Sequence, residues 1–189
     1  GPWFSFTPDP IFRIKRIHRW LDLQRGELHR DLEVEDQQGR VTRIRSSRFA
    51  GMADPHRAGI RYSLIPLNYE GSISVRSQLR GDHKNAGVER YNQLNQQHME
   101  PVTENHEQGM MQLVVKTTAS DILIAACARN RIVTEGIVTE TQTDQGEGWI
   151  SQEFQMEIKQ QQEITLEKLV TLCTSRDPGI EDPLEEAVN

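Results

Sequence analysis

The 189-residue sequence is 35% hydrophobic and 26% charged, which suits one domain that buries about 70% of its unfolded surface. Its 28 acidic and 22 basic side chains give a formal net charge of -6, which argues against a general nucleic-acid-binding protein. No apolar run approaches the roughly 20 residues that cross a membrane, so we expect no membrane partner either.

The first segment is basic, with positive side chains at Arg13, Lys15, Arg16 and Arg19. Such a cluster is more typical of a solvated strand face than of a phosphate-binding patch. Alternation of apolar and polar residues then predicts strands in eight stretches: 27–35, 37–49, 58–67, 71–79, 110–118, 121–128, 152–159 and 163–175. The first two flank a turn around Gln37-Gln38-Gly39 and therefore predict a hairpin. Together with the basic first segment this makes roughly nine or ten strands with almost no helical period, so the sequence predicts an all-β, antiparallel β-sandwich.

The last of these stretches has two interpretations. Leu166, Leu169, Val170 and Cys173 fit a helical period, whereas the threonines favour a strand. We predict a strand, with residues 152–159 as its partner.

A long polar insertion interrupts the strands between residues 81 and 107. Loops beyond about 12–15 residues in compact domains are usually functional or disordered. Val88, Tyr91 and Leu94 form a short apolar stripe at helical spacing, so we expect an ordered excursion from the sandwich.

Motifs for metal, phosphate or nucleophilic chemistry are weak. His83, His98 and His106 lack the spacing of a zinc site, and residues 81–87 lack the ending of a phosphate-binding loop. Asp54 and His56 form a possible acid–base pair, but Asp-Pro is also an ordinary turn pair, and we favour the turn. No Gly-x-Ser-x-Gly elbow occurs. We therefore expect no catalytic residue, no metal and no cofactor in this chain.

The two cysteines, Cys127 and Cys173, form no Cys-x-x-Cys motif. A reduced, cytoplasmic setting is the simplest interpretation.

The end of the sequence predicts the start of a helix. Asp182 is a good N-cap, Pro183 suits the first helical position, and Glu185 and Glu186 complement the positive end of the helix. The sequence stops one turn later, and it starts at Gly1 without a methionine. We expect a segment of a longer protein.

Three stretches of the sequence, 21–81, 85–101 and 174–188, together resemble one family. The resemblance rests on an ordered series of residues: Leu21-Asp22-Leu23, Gly26, Leu28, Arg48-Phe49, Met52-Ala53-Asp54, Asn85, Gly87, Tyr91 and Ser175-Arg176-Asp177. These stretches resemble the N-terminal domain of glycoside hydrolase family 65. That family contains inverting phosphorylases of maltose, trehalose, kojibiose and related α-glucosides, along with some hydrolases.

The resemblance implies a supersandwich of the galactose-mutarotase-like type at residues 1–177. Residues 178–189 would then begin a linker helix to an (α/α)6-barrel catalytic domain. The family's catalytic acid and phosphate site would lie in that barrel, so none of its catalytic residues maps onto this sequence. The family's first strands would also be missing from this sandwich.

The resemblance also implies a non-catalytic domain of a disaccharide phosphorylase or hydrolase, with inorganic phosphate as co-substrate of the parent enzyme. We expect the insertion to contact the barrel or the disaccharide near the sugar entrance, through Asn85, Arg90, Tyr91, Asn95 and His98. An independent carbohydrate-binding module is one alternative. A dimerisation or interaction domain, and thus a homodimer, is another.

Overall fold

A computed structural model describes residues 3–4, 11–83, 97–133 and 137–189 of the chain. Within these ranges the fold has eleven strands and one short helix. In chain order they are β1 (Phe12–Asp22), β2 (Glu27–Asp36), β3 (Val41–Ala50), β4 (Arg57–Pro66), β5 (Gly71–Arg80), β6 (Met99–Glu107), β7 (Met110–Thr117), β8 (Leu123–Ile132), β9 (Ile137–Gly146), β10 (Trp149–Ile158), β11 (Ile164–Thr174) and α1 (Pro183–Val188).

The strands form two antiparallel sheets. One has eight strands in the order β1-β2-β3-β4-β11-β8-β7-β6, and the other has three in the order β5-β10-β9. The predicted all-β antiparallel sandwich is therefore confirmed. The predicted β2–β3 hairpin is also present, and Gly39 takes a positive φ of 75° in its turn.

The polar insertion is shorter than predicted, because its last third is a strand. β6 pairs with β7, with a register shift between Pro101 and Thr103. This irregularity, together with the polar residues of the strand, hides the period-two pattern. β9 was also absent from the predicted strands, because it is an exposed edge strand with no apolar alternation.

β11 is a strand as predicted, but its predicted partner is wrong. Residues 152–159 lie mainly in β10, which belongs to the smaller sheet, while β11 pairs with β4 and β8. The link between Ile158 and Ile164 crosses from one sheet to the other, and both side chains enter the same core cluster. Gln161 in this link has a positive φ of 65°. The apolar alternation of each strand shows which face is buried, and it does not reveal the neighbouring strand.

The core lies between the two sheets. One cluster joins β2, β3, β4 and β11 to β5 and β10; its members are Leu32, Val34, Ile44, Leu64, Val75, Phe154, Met156, Ile158, Ile164 and Leu166. A second cluster joins β7 and β8 to the same small sheet through Leu79, Met111, Leu113, Val115, Ala128 and Ile150. Burial of these side chains is the main force that holds the sheets together.

The larger sheet is only partly covered by the smaller one. Ile17 pairs with Leu32 and Leu21 pairs with Leu28, so Ile17 and Leu21 face the same side as the buried Leu32. Both are nevertheless exposed, as is Ile60 on β4. The inner face of the large sheet is therefore open on the β1 side.

α1 packs on the opposite, outer face of the large sheet. Ala187 and the partly buried Leu184 cover Val114, Ala125, Cys127 and Cys173 in a third cluster. The predicted cap is present: the Asp182 carboxylate accepts hydrogen bonds from the Leu184 amide at 2.8 Å and the Glu185 amide at 3.2 Å. No helix in the described part of the chain has the length and apolar character that a membrane span requires.

We predict that Asp182→Ala loosens α1. Loss of the cap costs about 1 kcal/mol, which corresponds to about a fivefold increase in local opening. Because α1 covers Cys173, that thiol should react about five times faster with a thiol reagent. Asp182→Asn retains the side-chain acceptor and should react at the wild-type rate. Equal rates for Asp182→Ala and wild type would contradict the prediction.

Candidate functional site

Most of the predicted interface residues cannot be placed. Asn85, Arg90, Tyr91 and Asn95 lie outside the described residues. His98 is exposed directly before β6, and its backbone carbonyl accepts a hydrogen bond from the Thr118 amide at 3.0 Å. The interface role of this set stays a prediction. Among the residues that the structure describes, no group of three or more His, Cys, Asp or Glu could hold a metal ion.

Asp54 and His56 lie in a turn, as we favoured. The His56 amide donates to Asp54 Oδ1 at 3.1 Å, and Arg57 pairs with the same carboxylate at 2.8 Å. The His56 ring contacts the Leu172 carbonyl through Nδ1 at 2.8 Å. The Asp54 carboxylate thus stabilises the turn, and the His56 ring attaches the 51–56 loop to the end of β11.

A groove of about 970 Å³ lies between the open inner face of the large sheet and strand β5. The inward alternation of β4 and β11 places Tyr62, Leu64 and Leu166 on its floor, while Ser77 belongs to the facing strand β5. Among the described residues β5 pairs only with β10, so it is an edge strand on the groove side. The groove is therefore bounded by strands and has a partly polar wall.

Lys168 on β11 is one of the charged residues that line this groove. Its Nζ donates a hydrogen bond to the Gln78 carbonyl at 2.7 Å. Burial lowers the pKa of Lys168 from 10.5 to about 8, because the charged amine is poorly solvated between the sheets. The Lys168 amine thus donates to a backbone carbonyl of β5. Because its pKa is lowered, it releases its proton more readily than an exposed lysine does.

Two buried polar atoms lie near this lysine. Asn130 is the cross-strand partner of Lys168, and its Nδ2 donates to Gln152 Oε1 at 3.0 Å. Ser77 is in turn the cross-strand partner of Gln152. Asn130 Oδ1 and Ser77 Oγ have no hydrogen-bond partner within the described residues. Buried acceptors of this kind normally bind water or a ligand hydroxyl.

Aromatic side chains line the outer part of the groove. The Arg76 guanidinium lies 4.2 Å from the centre of the Trp3 ring, and Arg76 also pairs with Glu153 at 2.9 Å. Tyr69 bonds Thr42 through its hydroxyl at 2.7 Å. Tyr62 is deeper, and burial raises the pKa of its phenol to about 12. This combination of aromatic rings and polar side chains suits the binding of a ligand.

The sequence prediction missed the residues of this groove. A signal for Lys168 exists, because it occupies an inward position between Leu166 and Val170 in an alternating strand. A lysine at such a position must either be buried or reach an edge, and the half-buried Lys168 reaches the edge strand β5. Ser77 carries no comparable signal.

Comparisons with known proteins identify the chain. The sequence model of "Glycosyl hydrolase family 65, N-terminal domain" matches residues 1–189. An uncharacterized glycosyl hydrolase of Mycobacterium tuberculosis is 30% identical over 181 residues, 94% of this chain and 13% of that protein. A kojibiose phosphorylase of Halothermothrix orenii is 27% identical over 172 residues, 90% of this chain and 21% of the enzyme.

A solved structure of a kojibiose phosphorylase-like protein from the human microbiome has the same fold. It matches with a TM-score of 0.78 at 16% identity, over 93% of this chain and 22% of that one. The chain thus spans about a fifth or less of the length of these relatives. In this family the matched domain lies N-terminal to the catalytic domain of the parent enzyme. From the match along its whole length, the chain belongs to the N-terminal domain family of glycosyl hydrolase family 65.

Proposed function

We propose that this chain serves as the non-catalytic N-terminal domain of a disaccharide phosphorylase, with inorganic phosphate as co-substrate of the parent enzyme. The observation that carries the proposal is the family match over residues 1–189 together with the kojibiose phosphorylase relative. The substrate class is then an α-linked glucose disaccharide. A hydrolase that uses water in place of phosphate is the alternative within the same family.

The role of the domain in that enzyme is to support the catalytic barrel and to shape its mouth. Residues 178–189 would begin the linker, which is supported by the capped helix α1 that starts at Pro183. The insertion with Asn85, Arg90, Tyr91, Asn95 and His98 would contact the barrel near the sugar entrance. Its amide, imidazole and phenol groups suit a hydrated interface that contacts sugar hydroxyls.

We expect the full-length protein to release glucose 1-phosphate from kojibiose in the presence of phosphate, and residues 1–189 alone to release none. Tyr91→Ala combined with His98→Ala should lower that rate, because two contacts at the sugar entrance are removed. Coupled detection of glucose 1-phosphate measures both. If the wild-type protein were inactive on kojibiose, trehalose and maltose with phosphate, the phosphorylase proposal would fail. An unchanged rate in the double variant would refute the placement of the insertion.

A carbohydrate-binding module is the second candidate, favoured by the groove between the sheets. Trp3 and Tyr69 offer rings for a sugar face, and the Ser77 hydroxyl offers an unpaired polar atom. Calorimetric titration of residues 1–189 with maltose or kojibiose tests it, since only a binding module should give saturable heat.

We also propose a cytoplasmic location. Its support is that Cys127 and Cys173 are both free thiols buried beneath α1, a state that a reducing compartment preserves. Cell fractionation against a cytoplasmic marker tests this location.

A further inference from the structure

Three exposed apolar side chains lie on the outer face and at the adjoining end of the large sheet. They are Phe49, Met52 and Leu169, with exposed fractions of 46%, 95% and 61%. We call them the α1-side patch. Exposed apolar side chains that cluster in this way mark surfaces that another protein element covers.

The register makes Phe49 and Leu169 neighbours on one face. Gly59 pairs with Phe49 on one side and with Leu169 on the other. The Phe49 ring lies over this glycine, since a Cβ added there would be 2.5 Å from Phe49 Cε1. Phe49 therefore packs over Gly59, which separates it from Leu169 in the sheet.

The patch adjoins the area that α1 already covers. Leu169 lies on the same face of β11 as Cys173, which α1 buries, with Thr171 between them. The 51–56 loop that carries Met52 is attached to the end of β11 through His56 and Leu172. The covered and the uncovered apolar areas are thus parts of one outer surface.

Charged pairs border this surface. Glu167 pairs with Arg61 and with Arg131, in each case at 2.6 Å, on the outer face two residues before Leu169. Arg57 and Asp54 form a pair on the loop side at 2.8 Å. An apolar centre with a polar rim is the usual arrangement of a protein–protein or interdomain surface.

We propose that the α1-side patch is the docking surface for the catalytic domain of the full-length protein. The inference rests on the proposed function, which makes this chain the N-terminal domain of such an enzyme. Two observations favour the catalytic domain as the part of the protein that covers this patch. The family's catalytic domain follows the matched region, and α1, the last element of that region, lies beside the patch. About four fifths of the length of the kojibiose phosphorylase relative lies outside the match.

Single cysteines in the full-length protein test the docking surface directly. Cys127 and Cys173 are both buried, and mass spectrometry of the labelled peptides assigns the reaction with a water-soluble thiol reagent to the introduced cysteine rather than to cysteines outside residues 1–189. We expect Leu169→Cys and Phe49→Cys to react at least tenfold more slowly than Val102→Cys. Val102 is the matched control, because it is 51% exposed and lies on β6 at the far edge of the sheet.

The outcomes separate the possibilities. Labelling of Leu169→Cys and Phe49→Cys as fast as that of Val102→Cys would overturn the proposal. Protection that disappears on dilution to a monomer would assign the patch to a second copy of the protein, and would overturn it too. Protection that persists on dilution supports it. If the wild-type full-length protein shows no phosphorolysis while the protection persists, the proposed phosphorylase activity fails and the docking surface stands.

Discussion

Leu32→Ala should lower the free energy of unfolding by about 2–5 kcal/mol. Leu32 on β2 is 0% exposed and belongs to the cluster that joins the two sheets. The truncation removes apolar burial and leaves a cavity whose strand-built walls cannot collapse. Urea unfolding followed by circular dichroism measures the change, with the slope of the transition checked for equality to the wild type.

Leu169→Ala is the matched control for this prediction. It makes the same chemical change in another strand, at a side chain that is 61% exposed in the isolated domain. In residues 1–189 it should change the unfolding free energy by less than about 0.5 kcal/mol. Similar losses for the two variants would contradict the assignment of the core to the space between the sheets.

Lys168→Met should remove a pH dependence of stability. Burial lowers the pKa of Lys168 in the folded protein from 10.5 to about 8. Between these two values the unfolded chain holds the proton and the folded protein does not, so wild-type stability rises with pH in this window. Below about pH 8 both states are protonated and the full desolvation cost remains.

The measurement compares the two proteins at about pH 7 and about pH 9.5. Relative to Lys168→Met, the wild type should gain about 2 kcal/mol over this interval. Tyr62, whose pKa burial raises to about 12, is present in both proteins and cancels in the difference. A constant difference between wild type and variant across this interval would show that Lys168 titrates normally in the folded state.

The sequence predicted the strands that have one face toward the core and the other toward solvent. In β2, Leu32 and Val34 face the core while Glu33 between them faces outward, and the alternation of apolar and charged residues reflects this difference. The side chains of β9 that the structure describes are exposed, so its alternation carries no apolar signal. The predicted pairing of the last strand with residues 152–159 was wrong, because periodicity identifies the buried face of a strand and not its neighbour.

The candidate site was less predictable than the fold. Four of the five predicted interface residues lie outside the described part of the chain, so only His98 can be placed. The groove arises because three strands lie against eight, and no local pattern encodes that imbalance. The capped helix was the best prediction at residue level, because an N-cap depends on Asp182 and the two amides that follow it.

The position of β11 in the large sheet has a consequence for biosynthesis. Strands β1 to β4 and strands β6 to β8 form two separate meanders, and β11 alone joins them. Its contact between Arg61 and Glu167 spans 106 residues of chain. The large sheet is complete only after β11 has left the ribosome. Until then the edge strands β4 and β8 of the two meanders lack β11 as their hydrogen-bonding partner. We therefore expect slow, late closure, during which the nascent chain depends on protection from aggregation.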